Sequence, residues 1–110
     1  MKSDQLYIAH ILESAAKIAE YARCGEEEFL QNGIAADAIL RNLQTLAEST
    51  KRLSDEFKAA HPELPWREIA GIRNVLVHDY LKISMEKIWQ VASEAVPELA
   101  QRLTEGPQEE

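Results

Sequence analysis

A single cysteine, Cys24, stands in 110 residues. An internal disulfide is thereby excluded, and a reducing, cytoplasmic compartment is expected. Glycine and proline number four each, and no segment alternates with the two-residue period of a strand, so strands are not expected. No apolar run approaches the roughly 20 residues that cross a bilayer. The opening "MKSDQLYIAH" carries Asp4 and lacks the apolar core of an export signal, so neither export nor membrane insertion is expected. With no CxxC or HExxH spacing, neither a metal nor a cofactor is expected. A basic surplus is also missing, since 12 Lys and Arg against 19 Asp and Glu leave a net charge of −7. Proteins that coat nucleic acid are normally basic, because phosphate neutralisation supplies most of that affinity. Any nucleic-acid chemistry here must come from a small local cluster of Arg and Lys, with partner chains contributing.

What is present is a helical pattern. Hydrophobic residues make up 45% and charged residues 28%, enough for one packed domain with an ordinary solvated surface. After a candidate N-cap at Ser3, the residues Ile8, Ile11, Ala15, Ile18 and Ala22 step by three and four, marking a helix to about Arg23 that Cys24-Gly25 ends. "EEEFLQNG" reads as a short acidic turn of helix, anchored by Phe29 and Leu30 and stopped by Gly33. Ile39, Leu43, Leu46, Thr50, Leu53 and Phe57 hold one stripe, so the spacing predicts a single long helix from about Ala35 to Ala60, closed by His61-Pro62. Pro65 opens a fourth helix with Ile69, Ile72 and Leu76 inward. A last helix follows Ser84, a candidate N-cap, with Met85, Trp89, Ala92, Val96, Leu99 and Leu103 as its stripe. Pro97 inside it predicts a kink or break near Ser93 to Pro97. Short connections between these segments imply an all-α, antiparallel up-and-down bundle of about four to five helices. It forms one domain over residues 1–104, with an acidic, disordered tail at 105–110.

One stretch stands apart. In "GIRNVLVHDYL", residues 71–81, apolar positions share a helix with Arg73, Asn74, His78, Asp79 and Tyr80. A helix turns about 100° per residue, so Arg73, Val77 and Tyr80 fall on one line and Asn74 and His78 on the next. Arg73 and His78 lie about 140° apart and about 7.5 Å along the axis, able to border one groove but not to stack. Asn74 is spaced to hydrogen-bond and orient the imidazole. Metal-free RNA cleavage needs a base for the ribose 2′-hydroxyl, an acid for the leaving 5′-oxygen and a cation beside the phosphate. Histidine, with an ordinary pKa of about 6.5, serves as acid or base, and the arginine fork suits phosphate. One set per chain is thin, whereas two copies across a two-fold axis would double it. By spacing alone the plainer reading is the stronger: a surface cation, and a half-buried histidine at a helix end favoured by the dipole.

A resemblance alters that balance. "RNVLVHDY" is similar to the Arg-x4-His-x-Tyr signature of HEPN-domain toxins, specifically the HepT family of type VII toxin–antitoxin pairs. "LYIAHILESAAKIAEY", "FLQNGIAADAILRNLQTLAESTKRLS" and "ELPWREIAGIRNVLVHDYL" resemble that family in order and spacing over nearly the whole chain. The short motif is weakly specific alone and strongly specific within "PWREIAGIRNVLVHDY" after the "AILRNL" helix. The resemblance implies a helical-bundle, metal-independent ribonuclease, acting on RNA as a homodimer whose two motif helices meet in a composite cleft. Arg73 and His78 would be its catalytic pair, with Asn74 and Asp79 in support. It further implies a cognate antitoxin, an MNT-type (MntA-like) nucleotidyltransferase that adenylylates Tyr80. A non-catalytic binding module that docks such a transferase and serves as its substrate is the alternative, and a purely structural bundle a third.

Other residues carry less. His10 reads as a surface or interface residue and His61 as a loop residue. Arg41 and Asn42 either line the cleft or form an exposed edge. Trp66 and Trp89 read as anchors of the core or of a dimer interface.

Overall fold

In the computed structural model, residues 2–31, 33–78 and 83–105 are described. Among them every regular element is helical, as the spacing predicts: α1 (Lys2–Ala22), α2 (Glu26–Gln31), α3 (Gly33–Arg52), α4 (Asp55–Ala60), α5 (Trp66–His78), α6 (Met85–Gln90) and α7 (Val96–Glu105). The expected stripes supply the core. Ile11, Ala15 and Ile18 of α1 meet Ile39, Leu43 and Leu46 of α3, and Leu99 and Leu103 of α7 join them, all buried. The α1–α3 pair forms the spine, with α5 laid on α3 and the C-terminal helices on α1. The described residues include no helix long and apolar enough to cross a membrane.

The first loop is set by Gly25, whose φ of +91° lies in the left-handed region that glycine tolerates. Ser3 caps nothing, because α1 begins at Lys2 and already includes it. In α2, Phe29 alone is the anchor: it is fully buried with its ring centroid 5.2 Å from that of Trp89. Leu30, expected to share that task, is 42% exposed.

The long helix expected from Ala35 to Ala60 is interrupted. The α3 helix stops at Arg52 and α4 starts after Ser54, whose hydroxyl accepts from Phe57 N at 3.0 Å as an N-cap. The cause lies 50 residues upstream in α1. Asp4 Oδ1 accepts from Ser54 N and Asp4 Oδ2 from Ser54 Oγ, both at 2.8 Å. A buried carboxylate thus takes the backbone N–H that a continuing helix would need, and the chain turns. Ser54's backbone N–H, assisted by its hydroxyl and opposed by burial, holds the Asp4 carboxyl below the ordinary carboxylate range.

The kink or break expected near Pro97 takes another form. Ser84 caps α6 through Lys87 N, and the coil then passes through a π-turn, Val91–Ala95, directly into α7. Val96 N bonds Val91 O, five residues back. The widened turn gives the Pro97 ring room that an α-turn denies it, so the coil continues unbroken. Glu105 is still helical. Of the expected tail, residues 106–110 lie outside the described residues.

Candidate active site on the fifth helix

The fifth helix is prepared by the turn before it. Leu64 is buried, Trp66 donates its indole N–H to His61 O at 2.9 Å, and Ile69 N bonds Pro65 O at 3.1 Å to start the coil. Glu68 in the first turn and His78 in the last match the helix dipole. Ile69, Ile72 and Leu76 are buried and fix α5 against α3. The opposite edge, with Ala70, Gly71, Asn74, Val77 and His78, is exposed.

Arg73 sits between these faces and is held. Its Nε donates to Glu48 Oε2 of α3 at 3.0 Å, and its Nη1 donates to the Asn74 carboxamide oxygen at 3.3 Å. The ion pair is partly buried, with the Arg73 side chain 21% exposed. One carboxylate therefore fixes the guanidinium through Nε, and the fork keeps further donors for an oxyanion. Asn74, expected to orient His78, makes its hydrogen bond to Arg73. His78 is the last residue of α5 and is exposed. Both predicted catalytic groups thus stand on one helix, one anchored at the α3 side and one open to solvent. Asp79 and Tyr80 lie outside the described residues.

Beside Arg73, the angle between α3, α4 and α5 encloses a pocket of about 180 Å³, lined by Arg73, Asn74, Trp66, Lys51 and Lys58 among others. The motif reading did not reach Glu48, Lys51 or Lys58. In sequence they resemble any charges on a solvated helix face, and Glu48 lies only two residues from the Leu46 position of the stripe. Arg41 and Asn42 do not share this pocket. They line another with Lys17 and Tyr21 on the α1 side, where Asn42 Nδ2 bonds back to Ala38 O at 2.8 Å. His10 is exposed and edges Tyr7, while His61 closes α4 with its ring 4.6 Å from that of Phe57. Among the described residues no three His, Cys, Asp or Glu side chains gather as a metal cage requires.

Comparison with known proteins bears on this arrangement. The family described as "Ribonuclease HepT-like" matches residues 11–105. A protein of Thermococcus cleftensis named "Probable ribonuclease HepT" is 34% identical over 100 residues, covering 89% of this chain and 90% of that one. A protein of Caldanaerobacter subterraneus subsp. tengcongensis, whose name gives it as an inferred RNase, is 32% identical over 111 residues, covering 100% of this chain and 99% of its own. One from Methanocaldococcus jannaschii, named in the same way, is 31% identical over 94 residues, covering 84% and 86%. No solved structure matches the chain. The match spans α5 and the helices that hold it, and the chain belongs to the HepT-like ribonuclease family.

Proposed function

We propose that this chain is the toxin of a bacterial toxin–antitoxin pair, a metal-independent endoribonuclease that works as a homodimer. The observation that carries the reading is the placement of the two motif side chains on α5. Arg73 is fixed from α3 by Glu48, and His78 projects at the exposed end of the same helix. In the reaction, the ribose 2′-oxygen attacks phosphorus while its proton passes to an imidazole. The bond from phosphorus to the 5′-oxygen breaks and that oxygen takes a proton from an acid, leaving a 2′,3′-cyclic phosphate and a 5′-hydroxyl. Arg73 stabilises the equatorial oxygens as charge accumulates. One imidazole cannot hold and lack a proton together, so the second copy supplies its partner. The uncovered edge of α5 supports a pairing that brings two such helices together.

Neutralisation is proposed to run through Tyr80, adenylylated by a cognate MNT-type nucleotidyltransferase. Its position in the Arg-x4-His-x-Tyr signature supports this, as does the chemistry of the adduct. An AMP group adds an anionic phosphate and a bulky base two residues beyond His78 in the sequence.

The test is incubation of purified protein with total cellular RNA, with and without EDTA. Cleavage is expected to survive EDTA and to fall by about 10²–10⁴-fold in Arg73→Ala and in His78→Ala, the range for loss of a positioned acid–base or charge-stabilising group. Both variants are expected to keep the helical circular dichroism of the wild type, because neither side chain is buried. Undiminished cleavage in both would end the proposal. Intact RNA together with tight binding to the transferase would make the chain a docking module instead.

A further inference from the structure

The pocket between α3, α4 and α5 departs from the character of the rest of the surface. The chain carries a net charge of −7, yet Lys51, Lys58 and Arg73 all line this one hollow of about 180 Å³. Arg73 has Glu48 as counter-ion. Among the described residues neither Lys51 nor Lys58 forms an ion pair. Lys51 lies in the last turn of α3 and Lys58 in the last turn of α4, where a cation complements the helix dipole. Dipole complementation does not by itself bring two lysines and an arginine to the lining of one largely apolar hollow. That convergence is imposed by the turn at Ser54, which folds α4 back after α3.

The remaining wall is aromatic. Trp66 lines the pocket with its indole N–H already engaged by His61 O at 2.9 Å and its ring edge-on to Phe57 at 6.2 Å. Its orientation is fixed from both sides, so ordering it adds no further entropy loss when a ligand arrives. A rigid indole, two lysines that form no ion pair among the described residues and a side-chain amide form the combination that receives a nucleotide, base on the ring and phosphate on the cations. At about 180 Å³ the hollow lies below the roughly 300 Å³ at which drug-sized sites begin; it takes a base and leaves the ribose and phosphate at its open mouth.

We propose that this pocket is a nucleotide subsite, in which Trp66 stacks one base of a single-stranded RNA and Lys51 and Lys58 hold its phosphate beside Arg73. The assignment rests on the ribonuclease reading for its choice of RNA as ligand. It locates substrate specificity away from the helix end: the nucleotide next to the scissile phosphate is gripped before His78 acts. Because stacking is tolerant of base identity, discrimination is between single strands and duplexes rather than among sequences.

The probe is 5′-AMP, which contains no internucleotide bond to cleave, titrated into the purified full-length protein while tryptophan fluorescence is followed. Saturable quenching is expected in the wild type and in Trp89→Phe, and its loss in Trp66→Phe. Affinity for AMP is expected to fall at least about tenfold in the Lys51→Ala/Lys58→Ala double variant, which loses two charge-assisted contacts, and to persist in the Lys→Arg double variant. For an oligoadenylate bound to the His78→Ala protein, adding the Lys51→Ala/Lys58→Ala pair should shrink the slope of log affinity against log salt by about 0.7 for the phosphate released. In RNA cleavage the Lys→Ala pair raises KM and leaves kcat within a few-fold of the wild type. Absence of quenching, or equal AMP affinity in the wild type and the Lys→Ala pair, overturns the subsite. Those results combined with His78-dependent cleavage would leave the nuclease reading standing alone. Lysine-dependent AMP binding without any RNA cleavage would keep the subsite and sink the nuclease.

Discussion

Replacing Asp4 by Ala removes the clasp that joins the start of α1 to the turn between α3 and α4. In the wild type its carboxylate accepts two hydrogen bonds of 2.8 Å, from Ser54 N and Ser54 Oγ, and that hydroxyl oxygen in turn caps Phe57 N at 3.0 Å. A hydrogen bond to an ionised group contributes about 1.5–3 kcal/mol, but the two bonds share one acceptor group and one partner residue, so they do not sum. The expected loss is about 2–3 kcal/mol, set against a total stability of about 5–15 kcal/mol for a small domain. In melting temperature this is on the order of 10 °C. The sign of the pH dependence follows from the lowered carboxyl pKa. A depressed folded-state value means the contribution is fully present above the unfolded value of about 3.9 and is lost as pH falls through the folded one. Thermal melts by circular dichroism should therefore show a constant gap between wild type and Asp4→Ala from about pH 7 to 5, narrowing below about pH 4. In a Ser54→Ala background Asp4→Ala should do less damage, because one of the two bonds is already absent. A gap smaller than about 0.5 kcal/mol at pH 7, or one of equal size at pH 3, would refute the clasp.

Two further outcomes concern the site. Glu48→Gln keeps the size and an acceptor oxygen but removes the charge that fixes Arg73; RNA cleavage is expected to drop about tenfold, mainly in kcat, while melting changes by less than about 1 kcal/mol because the carboxylate is half exposed. An unchanged kcat in this variant would show that the guanidinium needs no anchor from α3. Tyr80→Phe is expected to leave RNA cleavage within a few-fold of the wild type and to abolish transfer of labelled AMP by the proposed nucleotidyltransferase partner; label retained in that variant would place the modification elsewhere.

Periodicity revealed those helices whose buried residues come at regular steps. Ile11, Ala15 and Ile18, then Ile39, Leu43 and Leu46, then Ile69, Ile72 and Leu76 all face inward as their spacing predicts. The break between α3 and α4 escaped the same reasoning for a physical reason. Leu53 and Phe57 prolong the apolar stripe across it, so the pattern runs straight through the turn. The local sign was Ser54 followed by Asp55 and Glu56, a cap with an acidic first turn. Its decisive partner, Asp4, lies 50 residues away, and no window of periodicity spans that distance. The π-turn before Pro97 was hidden because a proline in a helical pattern signals disturbance without specifying its form. In the candidate site, Arg73 and His78 were singled out by their motif. Glu48, Lys51 and Lys58 were not, since only the crossing of α3 and α5 and the fold-back of α4 make neighbours of them.

The motif helix itself bears on how the site is completed. Gly71 sits in the interior of α5, where glycine is disfavoured relative to alanine by about 1 kcal/mol. Among the described residues a Cβ built there would meet nothing within 4 Å, so their packing places no demand for a glycine at that position. Val77, on the same helix, is 41% exposed. A small residue and an uncovered valine, about 120° apart on the exposed face of α5, are a poor solution for a lone helix and a reasonable one for a helix that another closely approaches. Since Arg73 and His78 diverge by about 140° on one coil, approach of a second α5 along that face is also the simplest way to complete an acid–base pair around one phosphate. The two arguments are independent, one from the energetics of a glycine and one from proton bookkeeping, and both favour pairing over α5 rather than over the α1–α7 side of the bundle.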